Sequence, residues 1–228
     1  SGASIIDVGG ESTRPGSKII SPQVEWERVQ NVVKKFKKKF PKTALSIDTR
    51  KSLVMKNSIK CNVDIINDVS CFEFDKDSSR IIKNKNLFKI IHHMQGTPQT
   101  MQINPKYNHV LLDIYDFFEE EITKMKKDKY FNKIILDPGI GFGKNLKHNL
   151  MILNKISLFH SLGFPILIGT SRKRFINQIS KNFDTKERIG GTLSSILFSL
   201  SQGVSIFRVH NVNEVKQGIL VFEMLLKR

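Results

Sequence analysis

A strict alternation constrains this chain more than anything else: a short apolar run, then a longer segment with helical periodicity, repeated seven times. The apolar runs fall at residues 4–8, 44–48, 63–67, 88–92, 133–137, 165–169 and 205–209. They are nearly continuous, as strands are when helices cover both faces of a parallel sheet. Amphipathic segments lie between them, among others at 22–40, 107–127, 147–162, 188–202 and 212–226. Ser21 before Pro22 supplies an N-cap and a first-turn residue for the earliest of these helices. Strand then helix, repeated, predicts a parallel α/β architecture. A doubly wound open sheet satisfies the same pattern. A closed (β/α)8 TIM barrel fits better, since it takes about 250 residues and uses the C-terminal end of every strand. Seven strands are one short of eight, and the sequence opens without Met, almost inside a strand. The expectation is therefore a barrel lacking its first strand–helix unit. No Pro/Gly/Ser-rich linker or low-complexity tract interrupts residues 1–228, which predicts one domain.

Composition narrows the function. No apolar run approaches the roughly 20 residues of a membrane helix, and none of the residues given reads as a leader of the secretory kind, so a non-secreted protein is expected. Cys61 and Cys71 match no zinc spacing and read as reduced structural thiols of a cytoplasmic protein. The net charge of +16 raises the question of nucleic acid. The lysines, however, are spread along predicted helix faces, as in residues 34–39, and no nucleic-acid-reading motif accompanies them. The same positive field would help to capture a small anionic substrate.

What stands at the strand ends is more informative. In order these positions hold Asp7, Asp48, Asn67, His92 with His93, Asp137, Ser171 to Lys173, then Arg208 and His210. A single Asp or Asn after a strand is usually a turn former or a helix cap. A series in register projects onto one rim of a barrel, where barrel enzymes carry their active sites. Two subsites separate on paper. The last two strands supply Arg172, Lys173, Arg174, Arg208 and His210, a cationic set where barrels bind phosphate. Arg208 and His210 are alternate residues on one face, a fork and a second donor for an oxyanion. Asp48, Asn67 and Asp137 suit the edge of a planar nitrogen heterocycle carrying an amino group. The predicted substrate is such a heterocycle beside a diphosphate.

Three weaker patterns carry less. Gly139-Ile140-Gly141-Phe142-Gly143 has neither dinucleotide-loop spacing nor the Ser or Thr of a phosphate loop. His92 and His93 are adjacent in a strand, so they point to opposite faces and do not simply share an ion. There is no H-x-x-x-H or Cys/His cluster, and no protein metal ligand is assigned.

Seven segments together resemble dihydropteroate synthase along nearly the whole chain. They are D-V-G-G-E-S-T-R-P-G-S at 7–17, S-I-D-T-R-K at 46–51, I-I-N-D-V-S at 65–70, H-M-Q-G-T-P at 93–98, L-D-P-G-I-G-F-G-K-N at 136–145, G-T-S-R-K at 169–173 and R-V-H at 208–210. The resemblance implies condensation of a dihydropterin diphosphate with p-aminobenzoate, releasing diphosphate. It implies that Asp48, Asn67, Asp137 and Lys173 hold the pterin, and that Arg208 and His210 bind the diphosphate. Thr13, Arg14 and Pro15 would lie on a mobile loop that, with Phe142, Lys173 and Ser171, shapes the p-aminobenzoate pocket. Asp48, Asp137, Lys173, Arg208 and His210 form the implied catalytic set. Mg²⁺ is implied as well, held mainly by the substrate diphosphate and by a residue of the absent first strand. A homodimer is implied too, acting on small molecules with no nucleic-acid or membrane partner.

Two departures from the family pattern stand out. Asn211 replaces Asp and is expected to have no effect; His92 replaces an apolar residue and reads as a packing variant. A pterin-dependent methyltransferase, a non-catalytic pterin-binding barrel and a basic RNA-binding protein are the alternatives. Residues 13–15 together with Arg208 and His210 argue against the methyltransferase.

Overall fold

A computed structural model describes residues 2–14, 16–181 and 184–227. Its strands are β1 (Ile5–Gly9), β2 (Ala44–Asp48), β3 (Ile65–Asp68), β4 (Phe88–His92), β5 (Ile134–Asp137), β6 (Leu167–Ile168) and β7 (Ile206–Phe207). β1 to β5 form one parallel sheet in chain order, and β6 pairs with β7, again parallel. A parallel bridge between Leu136 and Ile166 joins the two sets. The seven strands thus follow one another as in a (β/α) barrel. The last two are shorter than the predicted 165–169 and 205–209. Their neighbours still bond across the strands, Leu136 N to Pro165 O at 2.9 Å and Arg208 N to Ile168 O at 3.0 Å.

The helices are α1 (Pro22–Lys39), α2 (Ser52–Lys60), α3 (Ser78–Ile82), α4 (Val110–Met125), α5 (Leu146–Asn154), α6 (Arg174–Ser180), α7 (Ile189–Ser201) and α8 (Val212–Leu226). α1 starts where its cap predicts, with Ser21 Oγ accepting from Val24 N, and it ends in Lys37, Lys38 and Lys39 against the helix dipole. The single helix predicted over 147–162 is in fact two. α5 begins at an Asn145–His148 capping box, and after Lys155 the chain tightens into a 3-10 helix (Ile156–Leu162) ended by left-handed Gly163. α2, α3 and α6 span nine, five and seven residues, too short for helical periodicity to stand out.

Strand periodicity sorts each side chain. In β2, Leu45 and Ile47 face the helices with Val29 and Val33 of α1, so Ser46 and Asp48 face inward. Phe118 of α4 packs edge-on against Phe159, ring centres 5.6 Å apart, in a second outer core with Ile91, Ile134 and Leu136. The inward set forms its own apolar floor: Ile65, Ile90, Ile135 and Leu167, with Ile5 and Ile206 packed against them. Two residues beyond each floor position, on the same face, stand Asp7, Asn67, His92, Asp137, Gly169 and Arg208. An apolar floor under a polar rim is what the period of two produces once strands run in register. Among the described residues, no helix is long and apolar enough to cross a membrane.

Candidate active site

Arg208 organises the rim. Its Nη2 lies 2.7 Å from Asp48 Oδ2 and 2.9 Å from Asp7 Oδ2. Asn67 Nδ2 also donates to Asp7 Oδ2, at 3.3 Å. The two subsites that looked separate in sequence are therefore joined. The arginine assigned to an anion, just beyond β7, reaches carboxylates of β1 and β2, one of them assigned to a heterocycle, because inward residues at the strand ends converge on one rim. Burial, followed by the charge of Asp7, raises the Asp48 carboxyl, against the pull of Arg208. Asp48 can thus accept or donate a hydrogen bond near neutral pH. Among the described residues Asn67 Oδ1 is buried without a partner, which leaves it free to accept from a donor outside the chain.

Asp137 stands next to β4 in register with His92. Its Oδ1 accepts from Gly139 N at 2.8 Å, and its Oδ2 lies 3.8 Å from His92 Nε2. His92 Nδ1 is 3.3 Å from Val69 O, and burial drops this histidine to about 4, so it is neutral. Its ring meets Phe142 edge-on, with centres 4.6 Å apart. His92 is thus a rim residue braced on Asp137 and Phe142, more than a packing variant. The inward spacing Ile90-x-His92, which matches Ile135-x-Asp137, was the available signal.

Phe142 rides on a loop whose glycines are needed for conformation and for space. Gly139, Gly141 and Gly143 all have positive φ. A Cβ on Gly139 would run into His93 O, and one on Gly143 would meet Gln95 O at 2.5 Å. Gly141 N donates to Asn149 Oδ1 at 2.7 Å, Gly141 O accepts from Gln102 at 2.8 Å, and Gly143 O accepts from Tyr107 Oη at 2.7 Å. Over the face of Phe142, 4.2 Å from its centre, sits Lys173 Nζ. Burial brings Lys173 down to about 8, with Asp137 pulling the other way. Phe142 and Lys173, both assigned to the arylamine pocket, are therefore in contact.

The anion end gathers around His210. Its Nδ1 lies 2.9 Å from Ser171 Oγ, which also accepts from His210 N at 3.2 Å. Ser171, assigned to the arylamine side, is thus tied to a residue assigned to the diphosphate. Burial and then the charges of Arg172, Arg14, Arg208 and Lys173 lower His210. Four cations around one imidazole make a field that an anion would relieve. Arg172, at φ 60°, sends Nε and Nη2 to Asn211 Oδ1 at 3.3 and 2.8 Å, and Asn211 Nδ2 donates to Glu214. Asn211 thus aims Arg172, a bond that the oxygen of an Asp at this position would also accept.

The loop after β1 is anchored by a buried ionic cluster that sequence reading missed. Glu11 bonds Arg50 at 2.7 Å, Lys51 at 2.7 Å and Ile20 N at 3.0 Å; Lys51 also bonds Glu25 at 2.5 Å. Acidic and basic residues far apart in sequence give no pairing signal, so this was unreadable in one dimension. Beyond the anchor, Thr13 is half-buried, Arg14 is exposed, and Gln99 donates to Ser17 O at 3.1 Å. Pro15 lies outside the described residues. Among those described, no group of three His, Cys, Asp or Glu is placed to hold a metal ion.

A family model described as pterin binding enzyme matches residues 1–210. Dihydropteroate synthase of Escherichia coli K12 is 39% identical over 226 residues, covering 99% of this chain and 79% of that one. The Yersinia pestis dihydropteroate synthase, solved as a sulfonamide drug complex, superposes with a TM-score of 0.93 at 36% identity, covering 98% and 80% of the two chains. The Xanthomonas albilineans enzyme solved with 4-aminobenzoic acid gives 0.91 at 28% identity, covering 100% and 81%. The chain belongs to the pterin binding enzyme family, on its dihydropteroate synthase branch. It is a transferase with the (β/α) barrel of that branch.

Proposed function

We propose that the chain condenses 6-hydroxymethyl-7,8-dihydropterin diphosphate with p-aminobenzoate, giving 7,8-dihydropteroate and diphosphate. The observation carrying this reading is the rim itself, where inward hydrogen-bonding groups Asp48, Asn67 and Asp137 meet the cations Arg208 and Lys173. Relatives support the second substrate, since the Xanthomonas enzyme was solved with 4-aminobenzoic acid. In the reaction, the bond between the pterin methylene and the diphosphate oxygen breaks, and its electron pair leaves with diphosphate. Arg208 and His210 face the growing negative charge. Asp137 and Asp48 lie beside the electron-poor pterin and stabilise its developing positive charge. The arylamine nitrogen then forms the new carbon–nitrogen bond and loses its proton to solvent, so no strong base is required. Phe142 and Lys173 form one wall for that amine, and Thr13 and Arg14 belong to the covering loop.

Mg²⁺ is part of this proposal only through the substrate. Asp7 and Asp48 are both engaged by Arg208, and the surrounding groups are cationic. That donor set does not fit a protein-held divalent ion, and no step is assigned to one. The proposal further takes the chain as one barrel domain, working in the cytoplasm as a homodimer on small molecules.

The test incubates the full-length protein with the dihydropterin diphosphate, p-aminobenzoate and Mg²⁺, and looks for dihydropteroate by mass spectrometry. Asp137→Asn keeps the fold and its side-chain volume but removes the charge, so kcat should fall by about 10² or more. Wild-type protein that binds pterin yet makes no product would overturn the reading. Unchanged turnover in Asp137→Asn would remove the electrostatic role of that carboxylate.

A further inference from the structure

Lys144 is 3% exposed, and the proposed reaction makes no use of it. Its Nζ lies 2.9 Å from His93 Nδ1, 3.3 Å from His93 O and 2.9 Å from Phe142 O. These three hydrogen bonds all go to neutral acceptors. Two belong to the residue that follows β4, and the third to the residue whose ring carries Lys173 on one face and the His92 edge. His93 is itself wedged edge-on against Phe117, with centres 5.0 Å apart. Burying an ammonium on neutral acceptors is costly, and burial brings Lys144 down to about 7. A methylene chain would fill the space without that cost, but it could not tie two backbone segments together.

We propose that Lys144 is a positioning residue for the arylamine substrate: it clamps the Phe142 carbonyl to the exit of β4 and so fixes the aromatic wall of that subsite. The carbonyls on either side, Gly141 and Gly143, have partners in Gln102 and Tyr107. Among the described residues, Lys144 is what connects the Phe142 carbonyl to the neighbouring strand end. The hydrogen bonds of the clamp go to His93 and Phe142, so its loss should be felt first by the arylamine wall, with a smaller effect on the pterin through the neighbouring charges of Asp137 and Lys173. This inference rests on placing Phe142 on the arylamine side, as the proposed function does.

The experiment compares wild type with Lys144→Met, which keeps length and apolar volume, in steady-state kinetics with each substrate varied in turn. The KM for p-aminobenzoate should rise about tenfold, the size of one lost charged hydrogen bond. The KM for the pterin diphosphate should stay within about twofold. A general structural role would shift both or neither. His93→Leu, which leaves Lys144 its two carbonyls, should give a smaller rise in the same parameter, and it decides the matter if Lys144→Met does not fold. Product formation by wild type with an unchanged arylamine KM in the variant that folds overturns the positioning role alone. Absence of product from wild type defeats the proposed function instead.

Discussion

Lys51→Met should destabilise the fold by about 3–5 kcal/mol at pH 7, the loss expected when a buried ion network loses one member. Lys51 Nζ sits between Glu11 Oε1 at 2.7 Å and Glu25 Oε2 at 2.5 Å, and the three side chains are 3%, 4% and 0% exposed. Without the ammonium, two carboxylate oxygens remain within about 5 Å of each other. Unit charges at that separation repel by roughly 3 kcal/mol at an effective dielectric of 20. Glu11 keeps Arg50 and Ile20 N, whereas Glu25 Oε1 already lacks a partner. Most of the loss therefore arises at Glu25. A domain of this kind has about 5–15 kcal/mol in hand, so the effect is large.

The pH dependence has a definite sign. For Glu11, burial pushes the carboxyl up, but hydrogen bonds from Lys51, Arg50 and Ile20 outweigh it and hold the group below its usual range. A depressed carboxyl contributes stability that is present above its unfolded value, about 4.3, and lost as pH falls through the folded one. Losing Lys51 removes part of that contribution, so the gap between wild type and variant should be widest near neutrality and close below about pH 4. Urea denaturation at pH 7 and about pH 3 measures it. The double variant Lys51→Met with Glu25→Leu should regain most of the stability, because an apolar pair needs no charge balance. A single-variant loss under about 1 kcal/mol, or one independent of pH, would refute the argument.

Arg208→Met leaves Asp7 and Asp48 facing each other. Because Arg208 is 45% exposed, solvent screening limits the loss to about 1–2 kcal/mol at pH 8. Asp48 is already raised, so its folded form keeps a proton that the unfolded chain releases. That contribution is complete below about pH 4 and is lost as pH rises through the folded value, so the variant should recover toward wild type in melts at pH 5. Equal losses at pH 5 and pH 8 would sink this. Gly139→Ala must place a Cβ against His93 O at φ 68°, and should lose about 2–4 kcal/mol; a wild-type melting temperature would contradict the close packing of that loop.

The sequence by itself determined the order of elements and the identity of the rim. Short continuous apolar runs alternating with helical patterns read as strands covered on both faces, and a polar residue where each run stops then falls at one end of a parallel sheet. Asp48, Asn67, Asp137, Lys173, Arg208 and His210 were therefore legible as a group. Which of them touch was not legible. Arg208 meets Asp48 across 160 positions of chain, and Lys51 gathers Glu11 and Glu25 from 40 and 26 positions away. Such pairs depend on strand register and barrel curvature, which no local pattern encodes. His92 and Asn211 show the same limit at single positions. Each looked like a neutral departure from a motif. Tertiary structure alone placed one against Asp137 and Phe142, and put the other under the guanidinium of Arg172. Local propensity is set by a residue's own neighbours in the chain. The charge balance and hydrogen bonding of a buried site are set by whichever groups the folded backbone brings within about 3 Å.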